Sequence, residues 1–322
     1  HLLDANIFYP HTGTLAYSEL NLVAGLLGLT RYVLTHNPLA ALNGAVGTAL
    51  WLAFVLMWAL VRRLSASDGA GLVAATAFTF CPYVGSKTAE IQLLMVFVFP
   101  LVMLAFHGLR ERPGPGTSLR LGLAVAVSAL ACGYYGLFAA CALGLLALVF
   151  ADRSPRYWLA LLGAALVAAV VVLPVYLAFT HARAASGADL GPHGADEIQG
   201  YSSRLSDYLA SSAAAHEWWL PALARWKPWV EVLFPGFGVL AFAGICLAGY
   251  TGADEPRRRQ MAGDGRGTVR AAGASFGPVL TLYSVLDAAI PGMSLIRAPA
   301  RFGVVARAAG FLLVLAVYAC AQ

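Results

Sequence analysis

The sequence predicts an all-α protein, a polytopic bundle of transmembrane helices with outer-face loops and interfacial helices. Three observations lead there. Hydrophobic residues make up 60% of the 322-residue chain and charged residues 11%, where a soluble domain carries about 25% charged. The apolar residues run in long blocks, among them 39–61, 91–109 and 157–180, each near the roughly 20 residues a helix needs to cross a hydrocarbon core. Arginines gather in short stretches beside those blocks, as they do in cytoplasmic loops.

Taken in order, residues 1–38 read as a first outer loop, broken by Pro10 and Gly13. Within it, 19–34 has apolar residues at helical spacing interrupted by Arg31, which predicts an interfacial helix. Residues 39–61 are the first clear span, and Arg62 and Arg63 put its end in the cytoplasm. Residues 70–84 return outward as a shorter span, and 85–92 form an outer loop. Residues 91–109 come back, with a kink expected at Pro100, and end in Arg110-Glu111-Arg112. Residues 119–151 are too long for one crossing. They split at Gly133-Tyr134-Tyr135 into two short spans, with the tyrosines at the outer interface. Asp152 to Arg156 returns to the cytoplasmic side, and 157–180 crosses outward. Residues 181–231 form a long outer loop whose Trp218, Trp219, Trp226 and Trp229 rest it on the membrane surface. Residues 232–250 cross inward to the basic cytoplasmic loop 251–274. After a weak partial span at 275–286 and an outer loop at 287–299, residues 300–321 are the last span. In this scheme 12 of the 21 Lys and Arg fall in the inner loops, which are the shorter ones. The chain thus reads as one multi-pass transmembrane domain, 1–322, of a cytoplasmic (inner) membrane. Its start at His1 and its end just after an apolar run are expected of a segment lacking an N-terminal span and a C-terminal part.

The net charge of +5 is accounted for by those loops, so no nucleic-acid partner is expected. Cys81, Cys132, Cys141, Cys246 and Cys320 sit in apolar segments without ligand spacing and read as small buried hydrophobes. Ionisable residues are nearly absent from mid-span positions, which argues against an ion or proton pump. The polar groups collect on the outer side, where an enzyme or binding site belongs.

The most informative cluster is Arg297-Ala-Pro-Ala-Arg301. Pro299 suits the first position of the last helix, whose outward N-terminus and two arginines would hold a phosphate. The competing reading is two arginines snorkelling to lipid headgroups. Asp4 and Glu19 are carboxylates near the membrane. Each fits a general base, a ligand for a divalent metal, or a helix cap. Lys87, Glu90 and Gln92 share a short outer loop and fit either substrate contacts or a local Lys–Glu pair. Tyr134 and Tyr135 fit a sugar-lining pair or an interface anchor. His11, His193 and His216 have no ligand spacing and read as loop residues. His107 sits at an inner helix end, where the helix dipole accounts for it.

The runs Asp4-Ala-Asn-Ile-Phe-Tyr-Pro10 and Thr14-Leu-Ala-Tyr-Ser-Glu19 resemble those of bacterial membrane proteins of the GT-C glycosyltransferase superfamily. So do Phe80-Cys-Pro-Tyr83, Gln92-Leu-Leu94, Gly133-Tyr-Tyr135, Tyr201-Ser202 with Asp207-Tyr-Leu209, Leu233-Phe-Pro-Gly236, and Arg297-Ala-Pro-Ala-Arg-Phe302. The order is collinear over nearly the whole chain. The resemblance implies a GT-C-like fold and transfer of a sugar from a polyprenyl-phosphate donor to a glycan, lipid or protein acceptor at the outer face. It implies a carboxylate base in the first outer loop, where Asp4 and Glu19 lie, and donor-phosphate binding by Arg297 and Arg301. It departs from the family at 88–92, where Thr88-Ala-Glu-Ile-Gln92 lacks a histidine often found near Glu90. The rival expectations are a transporter or flippase of lipid-linked saccharides and a non-catalytic scaffold in envelope assembly.

Overall fold

The structure is a computed structural model, which describes residues 13–17, 19, 21–185, 200–226 and 231–236. Among them all regular structure is helical. The α-helices are α1 (Leu22–Thr35), α2 (Pro38–Ser65), α3 (Asp68–Thr79), α4 (Pro82–Ser86), α5 (Val98–Glu111), α6 (Pro115–Ala131), α7 (Gly133–Val149), α8 (Pro155–Ala185) and α9 (Leu220–Trp226). Single 3-10 turns lie at Thr14–Tyr17, Ile91–Leu94, Leu205–Tyr208 and Ala214–His216. Three stretches are long and apolar enough to cross a membrane: Pro38–Ser65, Ile91–Glu111 and Pro155–Ala182. The expected spans 232–250, 275–286 and 300–321, and the loops 251–274 and 287–299, fall largely or wholly outside the described residues.

The chain divides into two compact units. The first holds residues 1–49, 91–143 and 151–191. In it α6 packs against both α5 and α8. The α6–α8 contact is close because small residues face each other. A Cβ added to Gly122 would lie 2.6 Å from the Ala164 carbonyl oxygen. Ala160, Ala164 and Ala168, one turn apart, are buried, while Leu159, Leu162, Leu166, Val170 and Leu173 on α8 are exposed. Small residues between helices and large apolar ones outside are the arrangement a lipid solvent favours. α1 is the helix expected over 19–34. It turns back onto α2 at His36, in the left-handed region (φ 49°). Asn37 Oδ1 then accepts the Leu39 N–H at 2.9 Å and caps α2. At Gly28 the hairpin admits no side chain, since a Cβ would sit 2.8 Å from the Ala41 carbonyl oxygen.

The second unit holds residues 50–90, 144–150 and 192–322. Ser67 caps α3 by accepting the Ala70 N–H at 3.3 Å. Arg62 at the end of α2 reaches Asp68 at 3.1 Å, which holds the start of α3 level with the end of α2. Gly71 lets α3 close on Trp58.

Two expectations need correction. The 70–84 stretch is not one helix. α3 stops at Thr79, and Cys81 is extended (φ −69°, ψ 156°) before Pro82 opens α4, because a residue preceding proline is pushed out of the helical region. Pro100 is not a mid-helix kink. It is the third residue of α5, which starts at Val98, where a missing N–H costs nothing; the irregular backbone lies just before it, at residues 95–97. The split of 119–151 falls as expected, at Cys132 between α6 and α7.

Candidate functional site

Each unit carries one cluster of the residues singled out from sequence. In the first unit the cluster forms where α6 gives way to α7. Cys132 is a single extended residue (φ −158°, ψ 124°) between the two helices, so the first N–H groups of α7 have no partners within the helix. Glu19 supplies one from far upstream. Its Oε2 accepts the Gly133 N–H at 3.2 Å, and its Oε1 accepts the Cys132 thiol at 3.5 Å. The carboxylate thus sits at the positive end of a 17-residue helix. The thiol is the donor in this contact.

Tyr134 and Tyr135 open α7 and have different surroundings. Tyr135 is buried, its hydroxyl donates to the Leu93 carbonyl at 2.7 Å, and its ring lies 4.9 Å from that of Phe99. Tyr134 is partly exposed. The Tyr135 bond ties α7 to the Ile91–Leu94 turn that carries the half-buried Gln92. Glu19 is partly exposed.

In the second unit the cluster is built around Lys87, one residue past α4. Its Nζ lies 2.9 Å from Glu231 Oε1 and 3.3 Å from Glu90 Oε1. The Lys87 and Glu231 side chains are only 10% and 11% exposed, against 38% for Glu90. Lys87 also stands 5.7 Å from the centre of the Tyr83 ring. Glu231 was not legible as a partner, because nothing in its local sequence points back to residue 87. What brings it there is backbone pairing: the Leu233 N–H donates to the Asp207 carbonyl at 2.8 Å and the Phe234 N–H to the Ala210 carbonyl at 3.1 Å. The same segment places His216. Ser211 Oγ and His216 Nδ1 are 2.6 Å apart. The imidazole lies 4.7 Å from the Trp219 ring and 5.1 Å from Phe234. His216 is thus a packed element of this loop.

Asp4, Arg297 and Arg301 lie outside the described residues. Among the described residues no three His, Cys, Asp or Glu side chains gather to hold a metal ion. The Gly133 N–H and the Cys132 S–H donate to Glu19 as to an anion that caps a helix.

No protein-family profile, curated protein or solved structure matches the chain.

Proposed function

We propose that the chain is a polytopic membrane glycosyltransferase of GT-C type, moving a sugar from a polyprenyl-phosphate donor to an acceptor at the outer face of the bacterial inner membrane. One observation supports this reading most, the sidedness of the chemistry. Glu19 and Tyr134 stand at the α6–α7 junction, and Lys87, Glu90 and Gln92 in the connection from α3 to α5. Along the helices of the first unit Glu19, Gln92 and Tyr134 lie at the ends away from Arg110, Arg112, Arg153 and Arg156, and in the second unit Lys87 and Glu90 follow the end of α3 that is away from Arg62 and Arg63.

In the proposed reaction a carboxylate, Asp4 or Glu19, takes the proton of an acceptor hydroxyl. The hydroxyl oxygen bonds to the anomeric carbon as the bond from that carbon to the phosphate oxygen breaks. The lipid phosphate leaves with the electron pair, stabilised by Arg297 and Arg301. Gln92 contributes a substrate contact in this scheme. The test is transfer of labelled sugar from a synthetic polyprenyl-phosphate donor in membranes carrying the chain. Arg301→Ala is expected to abolish product while the protein stays inserted. Wild-type turnover in that variant removes Arg301 from the mechanism. Movement of the donor across sealed vesicles with no product would favour a flippase instead.

A further inference from the structure

The first turn of α7 is held at two places in the first unit. Glu19 accepts the Gly133 N–H and the Cys132 thiol. Its own backbone is fixed in turn, because the Asn21 side-chain amide donates to the Glu19 carbonyl at 3.2 Å just before α1 begins. Two residues along α7, the Tyr135 hydroxyl donates to the Leu93 carbonyl, beside Gln92. Tyr134 lies between these two anchored positions, and both of its chain neighbours are engaged by distant parts of the sequence. Glu19, Tyr134 and the turn carrying Gln92 are thus tied to one another through three consecutive residues of α7.

A general base and a helix cap make opposite demands on a carboxylate. A base takes a proton in every turnover. A cap works best while charged, since hydrogen bonds to an ionised acceptor are about twice as strong as neutral ones and a helix N-terminus favours negative charge. A proton on Glu19 would weaken both bonds that close the α6–α7 break. It would do so during the step in which Tyr134 and Gln92 must hold the substrate still.

We infer that Glu19 is a positioning residue, which fixes the first turn of α7 and through it Tyr134 and Gln92, and that the proton step belongs to Asp4. This role rests on the transferase reading proposed above and decides between its two carboxylates.

The experiment uses the full chain in membranes and compares the wild type with Glu19→Ala and Glu19→Gln. Two quantities are measured, the kinetics of labelled-sugar transfer and the modification of Cys132 by a thiol reagent, located by mass spectrometry. A glutamine oxygen still accepts the Gly133 N–H, and its NH2 group can face the sulfur, a weak acceptor; alanine does neither. Cys132, 1% exposed in the intact chain, is expected to stay shielded in the wild type and in Glu19→Gln and to be modified in Glu19→Ala. Glu19→Ala should raise KM about tenfold with a smaller fall in kcat, and Glu19→Gln should recover most of that loss. A base behaves otherwise: Glu19→Gln would lose about 10²–10⁴-fold in kcat with Cys132 still shielded. That result overturns the positioning role and leaves the transferase reading standing. Cys132 equally shielded in all three chains overturns the clamp, whatever the transfer kinetics. A wild-type chain that transfers nothing overturns the transferase reading and the positioning role together.

Discussion

Replacing Lys87 with methionine leaves a nearly buried Glu231 carboxylate without its main partner. At 2.9 Å and an effective dielectric of about 20, the attraction between the two charges is about 6 kcal/mol. Taking each ion out of water costs several kcal/mol. The intact pair is therefore close to neutral for stability, and breaking it is not: a lone buried charge costs about 3–5 kcal/mol, out of a total of roughly 5–15. Glu90, more exposed at 38%, contributes less than about 1 kcal/mol as a surface partner. Lys87→Met is thus expected to lose about 3–5 kcal/mol. Glu231→Gln should lose less, because Glu90 still faces the cation. The double variant should lose clearly less than the sum. The assay is equilibrium unfolding in detergent micelles, followed by helix circular dichroism. If Lys87→Met unfolds like the wild type and the double variant is simply additive, the pair is not held as described. Lys87 would then be free to meet an anionic substrate directly.

Two other outcomes are expected. Gly122→Ala should lose about 1–3 kcal/mol by overpacking, because its Cβ would meet the Ala164 carbonyl oxygen and the Val167 Cβ, each at 2.6 Å. Gly116→Ala in the same helix meets nothing within 4 Å and should instead gain about 0.4–1 kcal/mol; thermal midpoints of the two variants check this.

The long helices were legible because an apolar block of bilayer length needs no partner to declare itself. This holds for α2 and α8, and the α6–α7 break was marked by Gly133 and two tyrosines. Where sequence reading slipped, hydrophobicity had outweighed backbone chemistry. Residues 70–84 look continuous by composition, yet Cys81-Pro82 already encodes the stop. Pro100 looked like a kink because the start of its helix, at Val98, is set by irregular backbone that carries no compositional mark. The candidate site was legible as residue types and not as contacts. Glu19 was read with a cap among its alternatives, but a cap acting on Gly133 cannot be inferred from local spacing. Of the two readings open for Lys87 and Glu90, the local pair is present at 3.3 Å, while the more buried partner, Glu231, depended on the pairing of residues 233 and 234 with residues 207 and 210.

The hold of Glu19 on α7 has a consequence for how the chain is made. The carboxylate and the N–H it accepts are 114 residues apart. During synthesis Glu19 emerges long before Gly133, so the carboxylate exists before the helix end that it caps. A chain begun downstream of α1 would form α6 and α7 without the carboxylate that accepts the Gly133 N–H. Deletions in the first polar segment should then be felt first at Cys132, as a thiol that reagents can reach, before any loss of helix.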